Sequence, residues 1–220
     1  QLPNRGSSMN EYSNKITLVK NRRGVYCLDT VVGCPSGMAN TEGGCYGDCY
    51  AARSAKRYGR DFSSAVLRGF ESEAHKKTIQ SQIARIDMPF VRVGCSGDPS
   101  EDWNHTIKII KDISGHSTEL VIITRHWNEL TDLQLDVLSR MNMCINTSVS
   151  ALDTNHEMNR AVAQFERIKP FCKSVLRIVT CDFNLDNETG SLLSEVQDEL
   201  LRLRPVIDTV FRPSKGSEWI

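Results

Sequence analysis

Met88-Pro89-Phe90-Val91-Arg92-Val93-Gly94, Glu119-Leu120-Val121-Ile122-Ile123-Thr124 and Met143-Cys144-Ile145-Asn146-Thr147-Ser148-Val149 are three short runs rich in β-branched residues. Each is followed by a stretch with helical spacing of apolar residues: 101–113, 129–140 and 155–169. The alternation continues with Ser174 to Thr180, a helix over 190–203, and Val206 to Phe211. Upstream, Gly24 to Val32 reads as a strand, 33–49 as a loop rich in glycine and cysteine, and 63–85 as a helix. Strand and helix alternating in this way imply a parallel sheet with right-handed crossovers, either doubly wound or curled. Six such units are too few for a closed eight-stranded barrel, so the expected class is α/β, a partial (βα)6 barrel.

The remaining composition narrows the class. A chain of 220 residues, 40% hydrophobic, can bury one sizeable core, and no low-complexity or linker-like tract offers a domain boundary. Residues 1–8 precede Met9 and read as an expression remnant, leaving 9–220 as a single domain. Lysine plus arginine and aspartate plus glutamate both number 27, so no net field draws the molecule to nucleic acid or an anionic membrane. Neither an apolar signal core nor a long apolar run is present, which predicts a cytoplasmic protein with no membrane span. A segment beyond Ile220 could cap the site.

In either parallel architecture, ligands bind outside the carboxyl ends of the strands. There the sequence concentrates polar and sulfur-bearing residues: the Cys34 loop, Ser96-Gly97-Asp98-Pro99, Thr124-Arg125-His126-Trp127, Ser148-Val149-Ser150, Thr180-Cys181-Asp182 and Arg212-Pro213-Ser214. Eight cysteines without a secretory signal speak for metal binding by some of them rather than for a disulfide scaffold. Cys144 and Cys172, among apolar neighbours, read as core packing.

Cys34, Cys45 and Cys49 fall in the glycine-rich loop with spacing C-x10-C-x3-C. Three thiolates there can reach three irons of a 4Fe–4S cube and leave the fourth open, while the glycines let the backbone close round it. A zinc site using these three with Cys27 or a histidine is the chemical rival, although no C-x2-C knuckle occurs. Three unligated thiols are the remaining alternative.

A cysteine loop after the first strand of such a barrel resembles the radical S-adenosylmethionine superfamily, whose usual spacing is C-x3-C-x2-C. Cys45-x3-Cys49 matches its first pair, whereas Ala52 stands where the third cysteine would be. A phage-type group of radical-SAM-like proteins, with an upstream Cys-Pro and then C-x3-C-Tyr-Ala, is more similar: Cys34-Pro35 and Cys45-x3-Cys49-Tyr50-Ala51 fit it. The resemblance implies a 4Fe–4S cluster on the three cysteines, S-adenosylmethionine as cofactor, and an electron donor such as flavodoxin or ferredoxin. It also implies a cofactor contact for Tyr50. Ser96-Gly97-Asp98-Pro99 is similar to the superfamily's Gly-Gly-Glu-Pro motif, which holds the cofactor's amino group, though alone it is an ordinary turn or helix cap.

Arg125 could pair with the cofactor carboxylate, or be a surface ion pair. Asn146, Ser148 and Ser150 recur at period two, so they share one face; the resemblance implies a ribose role for Ser148 and Ser150, and a half-polar lumen would give the same pattern. Arg177 and Arg212 fall where the superfamily often places substrate contacts, with a cofactor contact implied for Arg177; arginines near a barrel mouth can also be structural. Cys95 and Cys181 are candidate hydrogen-atom or thiol donors, and His126 with Trp127 could stack on a planar substrate. The expected activity is reductive cleavage of S-adenosylmethionine to a 5′-deoxyadenosyl radical, with a modified nucleobase or nucleotide as the first substrate guess. A metal-stabilised binding module and a phosphate-binding barrel enzyme are the alternatives; for the latter no glycine-rich phosphate loop follows the fifth or sixth strand.

Overall fold

The computed structural model describes residues 13–41, 43–115, 117–208 and 217–220. Two short strands come first, β1 (Val19–Lys20) and β2 (Tyr26–Leu28), paired antiparallel. β3 (Val31–Val32), helices α1 (Pro35–Asn40) and α2 (Tyr50–Arg57), and β4 (Val66–Leu67) follow. From there strand and helix alternate: α3 (Glu73–Ala84), β5 (Phe90–Val93), α4 (Trp103–Ile113), β6 (Glu119–Thr124), α5 (Asp132–Ser139), β7 (Met143–Val149), α6 (Asn155–Ile168), β8 (Lys173–Ile178), α7 (Glu188–Leu201) and β9 (Val206–Ile207).

Seven strands form one sheet in the order β1-β2-β5-β6-β7-β8-β9, and every pairing after β1 is parallel. The chain is therefore α/β, as the alternation predicts. Each parallel strand lies beside its successor with no reversal of order, unlike a doubly wound sheet. Crossovers that all advance in one direction put their helices on one face. Alternation within the strands agrees: Val91, Val93, Leu120, Ile122 and Ile145 share a core with Ile79, Ile83, Ile110 and Leu138 of the helices. Val149, Leu176 and Ile178 extend it against Ala161 and Leu200. The intervening residues Cys27, Arg92, Val121, Asn146, Ser148 and Arg177 face the other way.

Two expectations upstream need correction. The run Gly24 to Val32 is not one strand: β3 leaves the main sheet and pairs antiparallel with β4, Val31 opposite Leu67 and Val32 opposite Val66. The helix expected over 63–85 begins only at Glu73. Ser63 and Ser64 bind the Asp61 carboxylate in a local turn, Val66-Leu67 supplies β4, and Ser72 caps α3 by accepting from His75 N at 3.1 Å. The short helices α1 and α2 lie where the sequence shows only a loop and its exit. The end of the expected last strand, 209–211, and Arg212-Pro213-Ser214 lie outside the described residues, as do residues 1–8. Among the described residues no helix is long and apolar enough to cross a membrane.

Candidate functional site

The cysteine loop leaves the sheet through Gly33, which adopts φ 87°. Gly33 N donates to Ser96 O at 3.0 Å, and Cys34 N to Phe62 O at 2.9 Å. Gly33 also bridges in parallel to Gly97, which binds the start of the cysteine loop to the loop after β5. Each thiol then stands at the head of a helical turn: Cys34 before α1, Cys45 opening the 3-10 turn Cys45–Gly47, and Cys49 before α2.

Two glycines make room around the sulfurs. A methyl on Gly37 would lie 2.9 Å from Cys34 Sγ and 3.5 Å from Cys45 Sγ, so these sulfurs flank the same bare backbone. A methyl on Gly44 would lie 2.7 Å from Cys49 Cβ and 3.6 Å from its Sγ. Cys34 and Ala52 belong to one apolar cluster against which Cys45 and Cys49 pack, with Phe62 and Trp127. Cys34 thus packs in the same apolar cluster as the Cys45–Cys49 pair.

All eight cysteines are free thiols. Burial pushes the Cys34 thiol up, and Asp98 and Glu101 add to it; burial also raises Cys45, with Arg125 acting in the opposite sense. Metal-free, both carry their protons at neutral pH, and a metal would displace them. Among the described residues no three His, Cys, Asp or Glu side chains are arranged for a single metal ion; a cubane instead distributes its thiolates over separate irons. The residues present fit such a cluster: three free thiols, a cradle that a Cβ would fill, and no side chain between Gly37 and two of the sulfurs.

Beside Cys45 lies a cavity of about 320 Å³, lined among others by Gly37, Tyr46, Arg125, Trp127, Asp153 and Arg160. Its size suits a small ligand. Arg125 does not reach into it as a free fork: its guanidinium pairs with Asp153 and Tyr46 Oη and stacks on the Tyr46 and Trp127 rings at 4.7 and 5.4 Å. Buried N–H groups without partners remain at Arg125 Nε, Trp127 Nε1 and Arg160 Nε. Asp153, with a side chain 3% exposed, also accepts from Ser150 N at 2.8 Å. Asp153→Ala should therefore destabilise the fold by about 3–5 kcal/mol, the cost of leaving a buried guanidinium unpaired. Urea denaturation measures it; a loss below about 1 kcal/mol would contradict the pairing.

Asp98 is buried and spent on structure. Its carboxylate accepts from Ser100 N at 2.8 Å, Thr124 Oγ1 at 2.7 Å and Arg125 N at 2.8 Å, locking the loops after β5 and β6 together. Ser96 O already accepts from Gly33, and Gly97 lies edge-on against Val31 and Gly33. Ser150 is likewise engaged, donating to Val179 O at 2.7 Å. The Ser148 hydroxyl, by contrast, makes no hydrogen bond among the described residues, and Asn146 on the same face keeps a buried, unpartnered Oδ1. Tyr50 is exposed, and its hydroxyl donates to Cys95 O. Arg177 pairs with Asp208.

Cys95 N is held by Asp29, and its sulfur neighbours Cys27, which also receives the Asn21 amide. Cys181 is buried with Ala151 and Phe183, its N–H on Gln197, and Cys144 and Cys172 are buried. Sequence reasoning missed Tyr46, Asp153 and Glu101. Glu101 accepts from Ser36 N at 2.9 Å and Ser36 Oγ at 3.0 Å, fixing the start of α1. No local signal announces these roles, because the partners are distant in sequence.

His126 is no stacking residue. It is fully buried, Nε2 2.9 Å from Thr147 Oγ1, and burial with Arg160 and Arg167 pushes its pKa down to about 3. A depressed imidazole contributes stability that is present above its unfolded value near 6.5 and is lost as pH falls toward 3. Wild-type stability should thus fall by up to about 1.4 kcal/mol per pH unit more than that of His126→Asn between about pH 6 and 4, read by denaturant titration. Equal slopes would refute the buried neutral state.

Compared with known proteins, the chain matches no family model, no curated protein and no solved structure.

Proposed function

We propose that the chain is a radical S-adenosylmethionine enzyme whose parallel sheet curls into a partial (βα)6 barrel. The observation that carries this reading is the glycine-lined convergence of three free thiols, Cys34, Cys45 and Cys49, at the carboxyl end of the first parallel strand. Sequential strand order with a polar face opposite the helices supports the curled architecture. Cys34, Cys45 and Cys49 would hold a 4Fe–4S cluster, which would supply a binding position for S-adenosylmethionine and one-electron reducing chemistry for its cleavage.

The chain's own residues position and shield. Gly37 and Gly44 leave room at the sulfurs; Phe62 and Trp127 exclude water from them. Ser148 and Asn146, with hydrogen-bonding capacity unspent, are the better ribose partners, whereas Asp98 and Ser150 support the loops. Flavodoxin or ferredoxin would deliver the electron in a reducing cytoplasm, and the substrate is a nucleobase, nucleotide or similarly sized molecule at the polar face.

Anaerobic reconstitution with iron and sulfide tests this. The expected result is absorption near 400 nm typical of iron–sulfur clusters, about four irons per chain, and 5′-deoxyadenosine on adding dithionite and S-adenosylmethionine. A colourless protein carrying one tightly held zinc would sink the enzymatic reading in favour of a metal-stabilised module.

A further inference from the structure

Among the described residues, Arg92 pairs with no carboxylate. It stands in β5 with Cys27 and Val121 as its Cα partners, on the face turned away from the helices. Its Nε is buried with no hydrogen-bond partner, and its guanidinium joins none of the ion pairs among the described residues. A buried N–H left unpaired is unfavourable, which makes such a group a candidate contact for a ligand.

The neighbours make the deficit sharper. Arg177, on β8 of the same face, is lowered in pKa by burial, and the Arg92 charge lowers it further while Asp208 opposes. Both arginines stand on the sheet face turned away from the helices, with β6 and β7 between their strands. Of the nearby carboxylates, Asp208 pairs with Arg177, while Asp29 is anchored through its Oδ1 on Cys95 N and on Ser96 N at 2.9 Å. Ser148, the Cα partner of Arg177, and Asn146 add uncommitted polar groups beside them. Tyr50, from the helix that follows Cys49, lies in the field of both arginines, which puts this region under the cysteine loop.

We infer that Arg92, seconded by Arg177, is an oxyanion site that holds a phosphate or carboxylate of the substrate. This rests on the reading of the polar face as a substrate chamber and adds a requirement to it: the substrate is anionic. A guanidinium fork suits either group, because both offer two oxygens in one plane. Arg92 lies two residues before the strand gives way at Gly94, deeper than the Ser96-Gly97 turn, so it addresses the substrate and not the cofactor's amino acid end.

Calorimetry on the purified chain with inorganic phosphate and with acetate tests the inference. Wild type should bind at least one of them, and Arg92→Met should weaken that binding by about tenfold or more. Preference for phosphate would assign a nucleotide-like substrate, and preference for acetate a carboxylic acid. In wild-type protein labelled with nitrogen-15, the Arg92 Nε resonance should shift and saturate with the same anion, a readout independent of the variant's folding. S-adenosylmethionine affinity of the reconstituted protein should be unchanged in Arg92→Met. Wild type that binds neither anion, an unmoved Nε resonance, or loss of cofactor affinity instead of anion affinity would overturn the site. Iron content and 5′-deoxyadenosine formation, measured separately, report on the enzymatic reading and not on this one.

Discussion

Cys45→Ala should leave a folded chain with iron at background and 5′-deoxyadenosine formation reduced by at least about 100-fold, more than the loss typical of an outer-shell partner. Cys34→Ala and Cys49→Ala should behave alike, since a cube held by three thiolates has no spare ligand. The control is Cys144→Ala, buried on β7 away from the loop, where iron should be retained at a modest stability cost. Gly37→Ala sharpens the test. Its methyl would sit 2.9 Å from Cys34 Sγ, and that sulfur is the tip of a single rotatable bond. The chain can yield by turning the thiol aside, so folding should survive while iron loading falls. Iron measured by inductively coupled plasma, set beside the melting temperature, separates the two effects. Wild-type iron in Cys45→Ala would remove that thiol from the ligand set.

The sheet was readable because its signal is local. Glu119–Thr124 and Met143–Val149 are strands over the very residues whose β-branching marks them, and the helices after them carry their own caps, such as Thr131 and Thr154 with Gln134 and Glu157. The region between Leu28 and Ser72 was not. There the backbone follows partners remote in sequence: Val31-Val32 with Val66-Leu67, Gly33 with Ser96 and Gly97, Cys34 N with Phe62. Period-two or helical patterning cannot register a two-residue strand.

The site divides along the same line. The cysteines stand out as a set by their spacing, and the structure places Cys34 and Cys45 at Gly37 and Cys49 at Gly44, in one apolar cluster. The polar residues after the later strands were legible in position but not in role. Asp98 and Ser150 look in sequence like ligand-facing groups, yet both are consumed by backbone N–H or C=O groups of neighbouring loops. Arg125, expected as a cofactor fork or a surface ion pair, is instead paired in the interior with Asp153 from the loop after β7. Arg92, unremarkable in its strand, has none of these partners. Which polar side chains are spent is decided by tertiary contacts, and only the unspent ones are open to a ligand.

Gly97→Ala is expected to damage the fold itself. A Cβ there would stand 2.5 Å from Val31 O and 2.6 Å from Gly33 O, backbone atoms that cannot rotate away. Relief requires parting the loop after β5 from the segment that enters the cysteine loop, which breaks the Gly33–Gly97 bridge and loosens Gly33 N from Ser96 O. Overpacking of this kind typically costs about 1–3 kcal/mol, and rigid backbone on both sides puts the expected loss at or above the upper end. For a chain of this size that is a drop of roughly 6–12 °C in the thermal midpoint. The control is Gly69→Ala, where nothing lies within 4 Å of the new methyl and the midpoint should barely move. Because Cys34 follows directly on Gly33, Gly97→Ala should also lower iron loading at temperatures where the chain is still folded. A variant as stable as wild type would mean that the two loops do not meet edge to edge, and the link between the first strand's exit and the loop after β5 would have to be abandoned.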